Sequence, residues 1–154
     1  FMRYIVFSDS HGSRREMEKI LGREKFDGFI HLGDGMTDAE DVASLYPSAA
    51  FISVPGNCDG LFFGAEETET EAVIGGVRIL VCHGHRYQVK YGVGMIWKRA
   101  VELGVRAVLF GHTHEPYYRD TGEIMLLNPG TVRMGEYAVI EAADGRITAE
   151  LLSL

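Results

Sequence analysis

The sequence predicts a mixed α/β domain in which two sheets stack and helices lie outside. Apolar strand-like runs alternate with amphipathic helical runs through residue 54, and Gly-centred turns then separate paired strand-like runs. The first three strands also stop at short polar loops. Residues 3–7, Arg-Tyr-Ile-Val-Phe, have the β-branched and aromatic character of a buried strand and end at Ser8-Asp9-Ser10-His11-Gly12. Ser13 with Glu16 three positions later reads as a capping box, and Met17, Ile20 and Leu21 follow at helical spacing. A second strand is predicted over residues 27–32, ending in Gly33-Asp34. A helix over residues 38–46 turns Val42, Leu45 and Tyr46 inward, and a strand over residues 49–54 ends at Pro55-Gly56-Asn57. Gly75-Gly76, Asp120-Thr121-Gly122 and Asp144-Gly145 read as hairpin turns. Between them Val93, Ile96, Trp97, Ala100 and Val101 form a helical stripe, and residues 106–110 give another buried strand.

The chain of 154 residues fits one domain, expected over residues 2–154, with Phe1 ahead of Met2 read as foreign to the natural start. Neither a basic-then-apolar leader nor an apolar run of ~18 residues is present, so the expectation is a cytoplasmic protein without a membrane partner. Cys58 and Cys82 are too few for a disulfide framework. With 15 Lys+Arg against 22 Asp+Glu the formal charge is −7, which argues against a nonspecific nucleic-acid coat or a polybasic membrane binder.

Ligands of open α/β folds gather beyond the carboxyl ends of the strands. Here those ends carry Asp9 and His11, then Asp34, Asn57 and His83, and finally His112 with His114. Seven oxygen or imidazole donors suit Mn²⁺, Fe, Ni²⁺ or Zn²⁺ better than a Ca²⁺ or Mg²⁺ cage. They exceed the need of one tetrahedral ion but suffice for two, ~3.5–4 Å apart, if one carboxylate bridges. Residues at i and i+2 of an extended segment point the same way, so Asp9/His11 and His112/His114 can each reach inward as pairs.

In order, Asp9-Ser10-His11, Gly33-Asp34, Gly56-Asn57-Cys58-Asp59, His83-Gly84-His85 and Gly111-His112-Thr113-His114 resemble the calcineurin-like metallophosphoesterases, especially their small bacterial and archaeal phosphodiesterases. Asn128-Pro129-Gly130-Thr131 is similar to a further loop of that subgroup. The resemblance implies a four-layer α-β-β-α sandwich of two mixed sheets. It places Asp9, His11 and His114 on one divalent ion, Asn57, His83 and His112 on a second, and Asp34 between them. It also implies in-line hydrolysis of a small phosphodiester by a hydroxide bridging the ions, with Mn²⁺ expected first and Ni²⁺, Fe²⁺ or Zn²⁺ as alternatives.

Two departures bear on the reaction. Cys58 stands where many relatives carry a His that protonates the leaving group, and Thr37 stands where a second Asp is usual, with no Arg following. The second departure favours a diester over a monoester. His85 is a further candidate for touching substrate or donating a proton, with the orienting of a neighbouring ligand an equal alternative, whereas His31, inside a strand, is expected to support the site or the core. Asp59 is expected to hydrogen-bond a ligand or cap a turn, and Cys82 to serve packing. Arg86, Lys90, Lys98 and Arg99 with Tyr87, Tyr91 and Trp97 read as a solvated helix face with its aromatic residues inward, the alternative being a patch for phosphate or a base. A homodimer or higher homo-oligomer is expected from the resemblance. The competing functions are a catalytically weak metal-binding scaffold like the retromer subunit of this fold, and a nuclease or dinucleoside polyphosphate hydrolase.

Overall fold

Alternation along β1 (Met2–Phe7) sets the layering: Tyr4 and Val6 face one apolar cluster, and Ile5 and Phe7 the other. In the computed structural model, which describes residues 1–60, 64 and 67–154, this strand lies at the centre of a five-stranded mixed sheet. It pairs in parallel with β2 (Gly28–His31), which pairs in parallel with β3 (Ala50–Ser53). On its other side β1 runs antiparallel to β9 (Glu136–Ala143), which forms a hairpin with β10 (Arg146–Ser153). The second sheet has the order β4 (Glu69–Ile74), β5 (Val77–Cys82), β6 (Ala107–Leu109), β8 (Met125–Asn128) and β7 (Tyr117–Asp120). Its β5, β6 and β8 are parallel, and its two edges are antiparallel.

Between the sheets, Tyr4, Val6, Ile30 and Ile140 meet Ile79, Val81, Leu109 and Leu127 in one buried cluster. The outer face of the first sheet is covered by α1 (Arg14–Arg23) and α2 (Met36–Ala43) through Met17, Ile20, Leu21 and Val42, which lie on Ile5, Phe7 and Phe29. The outer face of the second is covered by α3 (Gly94–Leu103) through Ile96 and Ala100, which lie on Leu80, Val108 and Phe110. Four layers result, as the resemblance implies. The carboxyl ends of β1, β2, β5 and β6 all reach the same rim.

Several local features differ from the sequence expectation. Ser13 precedes α1 but makes no side-chain cap, because its φ of −86° and ψ of 47° depart from the extended cap conformation. Helix α2 begins at Met36, two residues early, and ends at Ala43, which leaves Leu45 58% exposed. Tyr46 still packs, edge-on to Phe26 at 5.4 Å. Val101 is 60% exposed, since Ile96 and Ala100 alone of its stripe are fully inward while Trp97 is half-buried. The three turns join β4 to β5, β7 to β8, and β9 to β10 as expected.

Candidate metal centre

The polypeptide turns sharply at five of the seven candidate ligands, so Asp9/His11 and His112/His114 are brought together by left-handed turns and not by the extended i/i+2 geometry expected from the sequence. Seven non-Gly residues among those described have positive φ, and five are Asp9 (55°), His11 (41°), Asp34 (59°), His112 (71°) and His114 (65°). Such left-handed backbone is costly for residues with a Cβ and persists only where its surroundings over-determine it. Close approach helps to do so: a Cβ on Gly56 would fall 2.1 Å from Asp34 Oδ1, and one on Gly111 would fall 2.0 Å from Ser8 Oγ. Both glycines let one loop lie directly against the next.

Two groups of donors result, Asp9/His11/His114 and Asp34/His83/His112, each with its ligand atoms within 4.8 Å of one another. Asp9 is fully buried, and its two oxygens have different surroundings. Oδ2 accepts hydrogen bonds from the Ser8 hydroxyl and, at 3.0 Å, from the His112 backbone N–H. Oδ1 is buried without a hydrogen-bond donor, 3.1 Å from His114 Nε2 and 3.8 Å from the Nε2 atoms of both His11 and His83. Asp34 Oδ1 accepts the Cys58 N–H at 2.8 Å, while Oδ2 lies 3.3 Å from His83 Nε2 and 3.7 Å from His11 Nε2. His83 Nδ1 donates to Leu32 O at 2.7 Å, which turns the Nε2 lone pair into the cleft. That Nε2 is 3.2 Å from His112 Nδ1.

Charge follows from this crowding. Burial opposes the Asp34 anion, but His83, the Cys58 N–H and His11 together hold its carboxyl well below the usual range. Burial likewise opposes charge on His83, and Asp34 and Asp9 outweigh it, raising that imidazole. His112 is pushed down to about 4 by burial and then by His83 and Lys90. An orphaned buried carboxylate oxygen ringed by imidazole nitrogens is the arrangement a divalent cation satisfies. The donors fit a borderline transition metal.

The sequence pattern of the calcineurin-like phosphoesterase superfamily domain matches residues 2–145. The chain belongs to that superfamily. It is 35% identical over 135 residues to the probable metallophosphoesterase YsnB of Bacillus subtilis, covering 86% of this chain and 76% of that one. It is 24% identical over 147 residues to the phosphodiesterase MJ0936 of Methanocaldococcus jannaschii, covering 84% and 83% respectively. A Streptococcus pneumoniae crystal structure, described as a predicted phosphoesterase, superposes with a TM-score of 0.77 at 27% identity over 99% of this chain and 89% of that one. Vps29 from Entamoeba histolytica shares the fold with a TM-score of 0.75 at 18% identity, over 99% of each chain. As a member of this superfamily the chain is a hydrolase of phosphoesters, and the superfamily is metal-dependent.

The remaining candidates of this phosphoesterase lie around the same rim. Asn57 and Cys58 are exposed on the loop after β3, with the Asn57 amide nitrogen 3.7 Å from Cys58 Sγ. Slight burial and then Asp34 push the Cys58 thiol up. His85 opens a 3₁₀ turn, its ring 5.3 Å from that of His83 and 6.1 Å from that of His112, and its Nδ1 is buried without a hydrogen-bond partner. Burial lowers its pKa, aided by His83 and Arg86. Asp59 accepts from four backbone N–H groups, those of Asp34, Gly35, Met36 and Gly56, so it is the cap of α2 as well as a brace for the Asp34 loop. His31 is buried inside β2, and burial pushes it down to about 4. Cys82 packs under α3.

The aromatic residues of segment 86–99 divide. Tyr91 is 91% exposed, whereas Tyr87 donates to Glu69 and the Trp97 ring lies 5.9 Å beneath Arg119. Ser8 and Thr131 carry no ligand signature in the sequence, yet both brace Asp9. The Thr131 hydroxyl donates to Asp9 O at 2.8 Å, and Asn128 Nδ2 donates to Gly111 O and Thr113 Oγ1. Their hydroxyl or amide chemistry beside a ligand block was the available signal.

Proposed function

We propose that this phosphoesterase is a metal-dependent phosphodiesterase with a dinuclear centre, in which Asp34 is shared between the two donor groups. The carrying observation is the position of Asp34 Oδ2, near one imidazole of each group. On this reading Asp9, His11 and His114 hold one divalent cation, and His83, His112 and Asn57 hold the other, with Mn²⁺ as the leading choice over Ni²⁺, Fe²⁺ and Zn²⁺. Bound cations would supply Lewis acidity that activates water and neutralises charge at phosphorus. The chain's own contribution is orientation. The Leu32 carbonyl fixes the His83 ring, Ser8 and the His112 N–H fix Asp9, and the Cys58 N–H fixes Asp34. The exposed Cys58 thiol is proposed to donate the proton to the leaving alkoxide, with His85 contacting the substrate from the other side. A phosphodiesterase name among the relatives and Thr37 in place of an acid support a diester over a monoester. Two free cysteines fit a reducing compartment, and we place the protein in the cytoplasm.

Elemental analysis followed by hydrolysis of bis(p-nitrophenyl) phosphate and p-nitrophenyl phosphate, with Mn²⁺, Ni²⁺ or Zn²⁺ added back, tests the reading. About two ions per chain and a preference for the diester are expected. Absence of bound metal and of turnover favours a second reading, a protein-binding scaffold, which the shared fold with Vps29 supports.

A further inference from the structure

A hydrogen-bond chain that none of the steps above uses, buried at His31 and Ser10 and half-buried at Asp38, runs between the two ligand loops nearest β1 and β2. Its direction follows from one unambiguous donor. The Gly33 backbone N–H donates to His31 Nδ1 at 3.1 Å, so that nitrogen carries the lone pair and a neutral His31 carries its proton on Nε2. Nε2 lies 3.0 Å from Ser10 Oγ and must donate to it. Ser10 then directs its own proton to Asp38 Oδ2 at 2.7 Å, an oxygen that also accepts the Gly12 N–H at 2.8 Å. His31 and Ser10 are fully buried, and a Cβ on Gly35 would overlap Ser10 Oγ at 1.7 Å. The Gly35 backbone therefore lies directly against that hydroxyl, whose proton is kept on Asp38 by the donor at His31 Nε2.

Ser10 stands between Asp9 and His11, both left-handed, and its hydroxyl is anchored on each side. We infer that His31, Ser10 and Asp38 form a one-way hydrogen-bond chain that holds the Asp9–His11 loop in its strained conformation, making His31 a positioning residue for the first cation group. The inference rests on the proposal that Asp9, His11 and His114 bind a cation. The Asp9 and His11 N–H groups donate to Gly33 O and Asp34 O, which joins the two loops, but the Asp34 loop is held in addition by Asp59. Loss of the chain therefore affects the Asp9 group more than the Asp34 group.

Long-range ¹H–¹⁵N NMR of the metal-free protein at neutral pH reads the tautomer directly. A neutral His31 protonated on Nε2 is expected, and protonation on Nδ1 alone overturns the inference. Mn²⁺ titration calorimetry on Ser10→Ala, His31→Asn and His31→Gln reads the consequence. A Gln amide can donate where Nε2 does, whereas Asn reaches Gly33 but not Ser10. Ser10→Ala and His31→Asn should weaken one of two Mn²⁺ sites ~10–100-fold, with His31→Gln close to wild type. Diester turnover should follow in kcat with KM little changed. Equal behaviour of the Asn and Gln variants, or equal weakening of both sites, overturns the positioning role. If a variant fails to fold, the wild-type tautomer still decides the direction of the chain. Wild-type protein that binds no Mn²⁺ overturns the functional reading, and this role with it.

Discussion

One Asp9 oxygen is held by the Ser8 hydroxyl and the His112 N–H and the other, proposed to meet a cation, has no donor, so replacing Asp9 by Asn has two consequences. An Asn amide nitrogen at Oδ2 would face the His112 N–H, a donor against a donor, and an amide oxygen at Oδ1 would carry far less charge. Asp9→Asn is expected to lose bound metal and diester turnover together, as measured by elemental analysis and rate. Cys58→Ser should slow a diester with a poor alkoxide leaving group far more than one with nitrophenolate, since only the first needs the proton. Equal losses remove Cys58 from that step. His31 carries a stability prediction. Neutral in the fold to about 4 and ordinarily titrating near 6.5, it lets the unfolded chain take up the proton first, so acidification from 6.5 towards 4 weakens the fold. Urea unfolding of the metal-free protein should show a steeper loss between pH 7.5 and 5 than His31→Gln does, with a full effect of about 3 kcal/mol. The candidate ligands were legible because acids and imidazoles ended successive strands. The hydroxyls that aim them were not, because a Ser beside an Asp has the same sequence signature whether it faces solvent or a carboxylate.

Helix α2 shows why an element can be evident while its boundary is not. Val42 announces its buried face, but the group that caps its first turn is Asp59, on the loop after β3. A cap supplied from so far along the chain leaves no mark beside the helix, and the local reading started two residues late. In α1 the reverse occurred, since Ser13 and Glu16 have the capping-box spacing without the backbone angles that would make it work. Asp59→Ala would strip four N–H groups of their acceptor and should destabilise the protein by about 3 kcal/mol in urea unfolding. It should also weaken metal binding through the Asp34 loop. Asp59→Asn, retaining an acceptor oxygen, is expected to cost less on both measures.

Across the molecule, the layers were legible and the strand order was not. The unbroken apolar run of residues 4–7 shows that both faces of the strand are covered, yet nothing near it says that the partner lies at residues 136–143. The candidate ligands also divide by sheet: Asp9, His11, Asp34 and Asn57 follow strands of the first, and His83, His112 and His114 follow strands of the second. Bound cations would tie one sheet to the other, so thermal unfolding should shift upward with added Mn²⁺ and downward with chelator. At one hundred times the dissociation constant the gain is about 2.7 kcal/mol per site. The pairing of Met2 with Ala142 has another effect, on biosynthesis. A growing chain presents Asp9 and His11 almost at once, but the strand that precedes them gains its second neighbour only after residue 136 has emerged. Contacts of that span form late. On the proposed reading a cation would therefore find no finished pocket while most of the polypeptide is being made, and loading would belong to the nearly complete chain.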